Sequence, residues 1–558
     1  MARRDAETQS RKEEGGEGAT NLSLARWIRL PLSSIFFLLF FLCVFAGNLS
    51  CRSTKSTDLR SLTPADALVY LETNDLGGAL QPIIDSRPFN EVAKYKPDLS
   101  ALKGVQLAVA VTGFETSEEK LTDEHSIGRI QPHFVAIADT HAWNYQAVGF
   151  AEKKLGSFVE KIYDSQPTLE KTDKNGGKFF TWTAADRRKA YALVIDSLIY
   201  FGNDETSIDK CLAVRRGEAD SIIKTGKIQP ADPATLASGY VSTDGIAQIA
   251  NIVGLRYASE ASDESEIQTT IAGILPQLLR NSITEITWTA NRSDDGVVDL
   301  YSVTLNSEIS ETFNKTFLPS DGGPAVEIFA PSTASSVTRY GLMDHQAAWR
   351  SLLLGAQKET DPLSGRIIGE FSNLFFEPYG IDDPGLFLEA VASNVMTVSL
   401  DDEGEKLIVI AAVGDYEKMK RAVSKDIDFS RPPSRLHGEE MWQSSDGTLV
   451  FARQMGFVLI GDYEDVQKCV EIGYSTPDMS YINNFRSTSI RKSPIASIQN
   501  ESGAASVIVS ILSEKKQKNA EVTTRSIATT RFTKIGIERQ TISDFGLIGW
   551  IIVQLSQD

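Results

Sequence analysis

The chain of 558 residues predicts an α+β fold: a tandem duplication of mostly antiparallel sheets, with helices packed on one face, behind one N-terminal membrane segment. Three observations carry this expectation. A long phrase occurs twice. Tyr200-Phe201-Gly202-Asn203-Asp204-Glu205-Thr206-Ser207-Ile208-Asp209-Lys210-Cys211 returns, one residue shorter, as Leu459-Ile460-Gly461-Asp462-Tyr463-Glu464-Asp465-Val466-Gln467-Lys468-Cys469. Apolar runs meet near turn pairs such as Asn175-Gly176, Asp295-Gly296 and Asp446-Gly447. Such short turns reverse the chain and pair its strands antiparallel. Helical stretches interleave with these hairpins, which is the mark of α+β architecture.

A proline-led strand–turn–helix phrase marks the repeat. It begins at Pro64, Pro233, Pro331 and, more weakly, Pro494. The spacings are 169, 98 and 163 residues, so a long and a short subunit alternate. The expected units are 62–225 and 226–310 in the first copy, then 325–487 and 488–558 in the second. In the first long subunit, strands at Gly104 to Gly113 and His133 to Asp139 flank a long acidic loop. Their counterparts, Asn394 to Leu400 and Glu405 to Val413, meet at a tight Asp402-Glu403-Gly404 turn. Helices follow at Trp143 to Tyr163 and at Tyr416 to Ile427. The first short subunit ends in a hairpin from Ser282 to Asn306. The closing run Phe545 to Leu555 aligns with Val297 to Asn306 and reads as a buried strand. It is about 11 residues long, too short to span a bilayer.

Residues 1–29 read as a disordered cytoplasmic tail, and 30–50 as a transmembrane anchor or signal segment. Leu30 to Ala46 carries no charge, and Arg26 and Arg29 precede it. That asymmetry places the N-terminus in the cytoplasm and the body outside it. Cys51 closes the segment and is a candidate lipidation site, although Asn48 stands where a lipobox has an aliphatic residue. A retained single-pass anchor is the leading reading. A lipid-anchored Cys51 and simple cleavage are the alternatives.

Net charge is −18. Six basic and five acidic side chains in residues 1–51 leave −19 on the rest. A body that acidic repels phosphate backbones, so no nucleic-acid partner is expected. Two of the four cysteines, Cys211 and Cys469, lie in the body at equivalent positions. They read as small buried residues and form no disulfide framework.

The opening Leu62-Thr63-Pro64-Ala65-Asp66-Ala67-Leu68-Val69-Tyr70 resembles the Leu-Pro-Ala-Asp-Ala-like phrase of a bacterial family known only as a domain of unknown function. Thr63 is an extra residue in that phrase. The resemblance implies a membrane-anchored or secreted protein. It implies no activity, cofactor or site residue.

The chemistry-bearing motifs are empty. Gly176-Gly177-Lys178 lacks the spacing of a phosphate loop and enters a strand. There is no nucleophile elbow. His133 and His141 stand about 26 Å apart along one strand at about 3.3 Å per residue, too far to share an ion. No catalytic residue, cofactor or metal ligand is therefore assigned. The polar position that recurs is the strand-to-helix turn: Asp75, Asp244, Asp344, and Ser502 in the weak copy. These read as helix N-caps. The acidic loop from Glu115 to Arg129 differs most between copies, and Glu115, Glu118, Glu119, Asp123 and Glu124 are its candidate partner-contact residues.

The function expected is that of a membrane-anchored extracytoplasmic protein. It binds or scaffolds, without catalysis, an envelope protein or a small ligand. An envelope hydrolase and a structural spacer are the alternatives.

Overall fold

The computed structural model describes residues 57–558 except 121–125, 164, 229–231, 233, 261–265, 321, 323–324, 403, 475–487, 514–521 and 556–558. The first half supplies β1 (Val69–Thr73), β2 (Gln106–Lys120), β3 (Ser126–Asp139), β4 (Thr168–Lys174), β5 (Gly177–Thr183), β6 (Lys189–Ile195), β7 (Leu198–Gly202), β8 (Thr235–Ser242), β9 (Ile283–Ser293) and β10 (Gly296–Leu305). The second half supplies β11 (Ser336–Gly341), β12 (Val391–Ser399), β13 (Leu407–Val413), β14 (Ser434–Leu436), β15 (Glu439–Gln443), β16 (Leu449–Gln454), β17 (Phe457–Asp462), β18 (Ile495–Ser502), β19 (Thr523–Phe532) and β20 (Gly536–Ser543).

All 20 strands form one continuous sheet. From one edge to the centre the order is β4-β5-β6-β7-β3-β2-β1-β8-β9-β10. From the centre outward it is β20-β19-β18-β11-β12-β13-β17-β16-β15-β14. Every pairing is antiparallel. The halves join where β10 pairs with β20. That junction is reciprocal: Val297 faces Ser543, and Val303 faces Ile537. Leu300 and Gln540 each stand four residues after their hairpin glycine, Gly296 or Gly536, and they face each other. A pseudo-two-fold axis therefore passes between them, perpendicular to the sheet.

This corrects the expected α+β arrangement of separate sheets with helices on one face. There is one sheet-rich layer, and helices cover both of its faces. In the first half, Val109, Phe134 and Phe201 pack under the helices Leu76–Asp85, Arg87–Val92 and Gly156–Ile162. On the opposite face, Tyr70, Val135 and Tyr200 pack under Ile208, Cys211 and Leu212 of the Glu205–Arg215 helix. The second half repeats this. Val409 and Val458 meet Phe387 and Met419 on one face, while Ile410 and Leu459 meet Val466 and Cys469 on the other. The physical reason lies in strands such as β7, in which Leu198 to Gly202 are buried without alternation. A continuous apolar strand must be covered twice.

The repeated phrase has a packing cause. A Cβ on Gly202 would sit 2.3 Å from the Phe134 carbonyl oxygen, and one on Gly461 2.7 Å from that of Leu407. Both strands cross a neighbour too closely for any side chain.

Two further expectations are overturned. The run after Phe545 is a helix, Gly546–Leu555, not a strand. Gly536–Ser543 already occupies the position beside β10, and a short all-apolar run has no periodicity that tells helix from strand. The acidic loop is largely a two-stranded ribbon: β2 runs to Lys120 and β3 starts at Ser126, with Glu115 opposite Gln131. Among the described residues no helix is long and apolar enough to cross a membrane, and the segment 30–50 lies outside them.

The helices that follow the two central strands cross over. Ser307–Thr316 leaves β10 but packs on the second half, where Phe317 stacks on Phe532 at 4.0 Å between ring centroids. Gly546–Leu555 leaves β20 but packs on the first half, against β10 and the Leu76–Asp85 helix.

Candidate ligand cavity

The second crossing encloses a cavity. It holds about 610 Å³ of empty space, part of it open to solvent. The part that the centre of a water-sized sphere can reach is about 60 Å³. Its floor is the sheet: Leu71 and Thr73 of β1, Leu107 and Val109 of β2, Ala237 of β8 and Trp288 of β9. Alternation along β1 sends Leu71 to this face and Tyr70 to the other. One wall is Leu76, Ala79 and Leu80, which share a helix face by their spacing of three and four. The other wall is Ile548, Ile551 and Ile552 of the crossing helix.

A buried acid holds this arrangement. Asp299, 1% exposed, accepts from Trp288 Nε1 at 2.8 Å. It also accepts from the Leu547 backbone N–H at 2.9 Å, in the first turn of the crossing helix. Burial pushes the Asp299 carboxyl up to about 6, against the lowering effect of those two donors. Gly546 makes the close approach possible. Its φ is +64°, and a Cβ there would lie 2.5 Å from Val297 Cγ1.

The same place in the second half is chemically different. Counting outward from the dyad, the in-register row Tyr301, Trp288, Gly239, Leu71, Val109 corresponds to Thr541, Ala528, Ser497, Thr338, Thr397. Hydroxyls replace the apolar floor, and Arg539 stands where Asp299 does.

The residues singled out from sequence lie away from the cavity, apart from Asp75, which borders its helix wall. The Asp75 carboxylate caps that helix, accepting from Gly78 N at 3.0 Å and from Gly104 N at 2.8 Å. Asp344 accepts from Ala347 N at 2.8 Å. Asp244 is not the cap. Ser242 Oγ accepts from Gly245 N at 3.1 Å, and Asp244 sits within the first turn, paired with Arg280 at 3.1 Å. The chain enters this helix two residues earlier than its sequence suggests. Ser502 does not cap either: Gly503, in a left-handed conformation, is the N-cap of the Ala504–Leu512 helix. Glu115 is exposed and lies 3.2 Å from His133 Nε2. Glu118 and Glu119 belong to β2. Asp123, Glu124 and Cys51 lie outside the described residues.

Cys211 and Cys469 are fully buried, and burial pushes both thiols up to about 12. Among the described residues no group of three metal-capable side chains occurs. Sequence reasoning missed the cavity because its parts come from five distant segments, none bearing a motif. The signal nearest to it was the apolar run after Phe545, assigned to the wrong element.

No family model matches the chain, and neither a curated protein nor a solved structure is similar to it.

Proposed function

We propose that this protein is a non-catalytic binding protein whose first half takes a small apolar ligand. The observation behind the reading is the cavity itself, floored by Leu71, Val109 and Trp288 and walled by Ile548 and Ile552. Burying apolar surface there gains about 25 cal/mol per Å², and no charged partner is required of the ligand. A placement of this body outside the cytoplasm rests on residues 30–51 alone, and protease accessibility in intact cells tests it.

The binding test uses the full chain and a neutral naphthyl fluorophore as probe. Saturable enhancement of its fluorescence is expected in the wild type, with loss in Ala79→Phe, which fills the cavity beside Leu76 and Leu80. Ala213→Phe, on the opposite face, serves as a control for substitution itself. Equal probe binding by wild type and Ala79→Phe, with both folded, would refute the reading.

A further inference from the structure

We propose that the second half holds an oxyanion site centred on Arg539, at the place that the apolar cavity occupies in the first half. Arg539 is part-buried between β10 and β19, where it faces Tyr301 on one side and Thr530 on the other. Its guanidinium reaches Thr530 Oγ1 at 3.4 Å and Ser497 Oγ at 3.5 Å. Both contacts are at or beyond the long end for hydrogen bonds from nitrogen. The ionisable side chains that face it are the phenols of Tyr301 and Tyr340. Among the described residues, no carboxylate pairs with it.

A cation withdrawn from water needs a counter-charge. The surroundings are suited to supply the rest of an anion's shell. Ser497 and Thr530 are buried beside the guanidinium, and Thr338 continues the same in-register row as Ser497. Each hydroxyl can donate one hydrogen bond to an anion while the guanidinium donates two in parallel. That donor set fits a planar or tetrahedral oxyanion, carried either by an organic carboxylate or by a phosphate. The first half cannot offer it, because Gly239, Ala290 and Asp299 stand where Ser497, Thr530 and Arg539 do. The site is independent of whatever fills the cavity.

The experiment is a thermal-shift titration of the full chain with sodium acetate and with inorganic phosphate, each against sodium chloride at matched ionic strength. The wild type is expected to show a saturable rise in Tm with at least one of the two oxyanions, and the larger response identifies the carrier. Arg539→Met is expected to lose the response, with affinity reduced about tenfold or more, as for a lost charge-assisted hydrogen bond. Identical wild-type curves in all three salts overturn the proposal, as does a full response in Arg539→Met. Should that variant not fold, Ser497→Ala/Thr530→Ala decides: it keeps the cation and removes its neighbours, and an unchanged anion response overturns the site.

Discussion

Leu300 and Gln540 face each other across the centre of the sheet, each at the same position of its own half. The in-register row through them runs outward to opposite charges. On one side it passes Thr289 and Ser238 to Glu72. On the other it passes Thr529 and Ala496 to Arg339. Directly opposed residues in an antiparallel pair have Cα atoms about 4.5–5.5 Å apart, inside the disulfide range of about 4.4–6.8 Å. Leu300→Cys/Gln540→Cys should therefore oxidise within one chain. Cutting such a chain at a protease site placed between residues 317 and 325 should leave the two fragments joined on a non-reducing gel. Fragments that separate without reductant would show that the halves do not meet at this register.

The charged end at Arg339 is a buried pair. Arg339 and Glu327 are 6% and 8% exposed, with Nη1 3.6 Å from the carboxylate. Nη2 donates to the Ile490 carbonyl at 2.7 Å. Arg339→Met leaves Glu327 charged and alone, which costs about 3–5 kcal/mol. Adding Glu327→Leu should restore most of that loss, because an apolar pair of similar volume is often as stable as a buried ion pair. Urea midpoints of the single and double variants check this. A double variant no more stable than the single would contradict it.

Asp299 gives a pH dependence of defined sign. Its folded value of about 6 lies above the ordinary 3.8, so the folded state holds the proton more tightly than the unfolded chain. The stability this contributes is present at low pH and is lost as pH rises from about 4 through about 6. Above that the carboxylate is a cost of about 3 kcal/mol. Asp299→Asn keeps one acceptor oxygen for either Trp288 or Leu547, turns its N–H₂ toward the other donor at a pH-independent cost, and cannot ionise. The stability of the variant relative to wild type should therefore increase between pH 4 and 7 and then level off. A difference that stays constant across that range would place the titration elsewhere.

The two helix-start aspartates should respond differently to truncation. Asp75→Ala removes two backbone hydrogen bonds and should cost about 1–2 kcal/mol. Asp244→Ala breaks an exposed ion pair with Arg280, worth about 0–1 kcal/mol. Chemical denaturation of the pair checks the ranking, and equal losses would return Asp244 to a capping role.

Much of the chain was legible as local pattern. The hairpin turns follow from short-range chemistry, and the glycines at 202 and 461 and the cysteines after Lys210 and Lys468 recur visibly in the sequence. A two-residue turn must reverse, and a strand that touches a neighbouring carbonyl cannot carry a side chain. The misreadings share one cause. Apolar Gly546 to Leu555 and polar Glu115 to Arg129 were judged by their own composition. Their partners decided them: β10, already paired with Gly536 to Ser543, left only a helix for the first, and Gln131 to Ser126 paired with the second as a strand.

By itself, then, the sequence determined which segments are strands bound to their sequence neighbours, because turn chemistry and alternation act over a few residues. Only the tertiary structure decided that β10 meets β20, that one sheet runs through both halves, and that the last helix returns to close a cavity more than 400 residues away along the chain, between Leu71 and Ile548. Such contacts depend on which surfaces remain unburied after local folding. That is a property of the assembled faces and is written in no single stretch of chain.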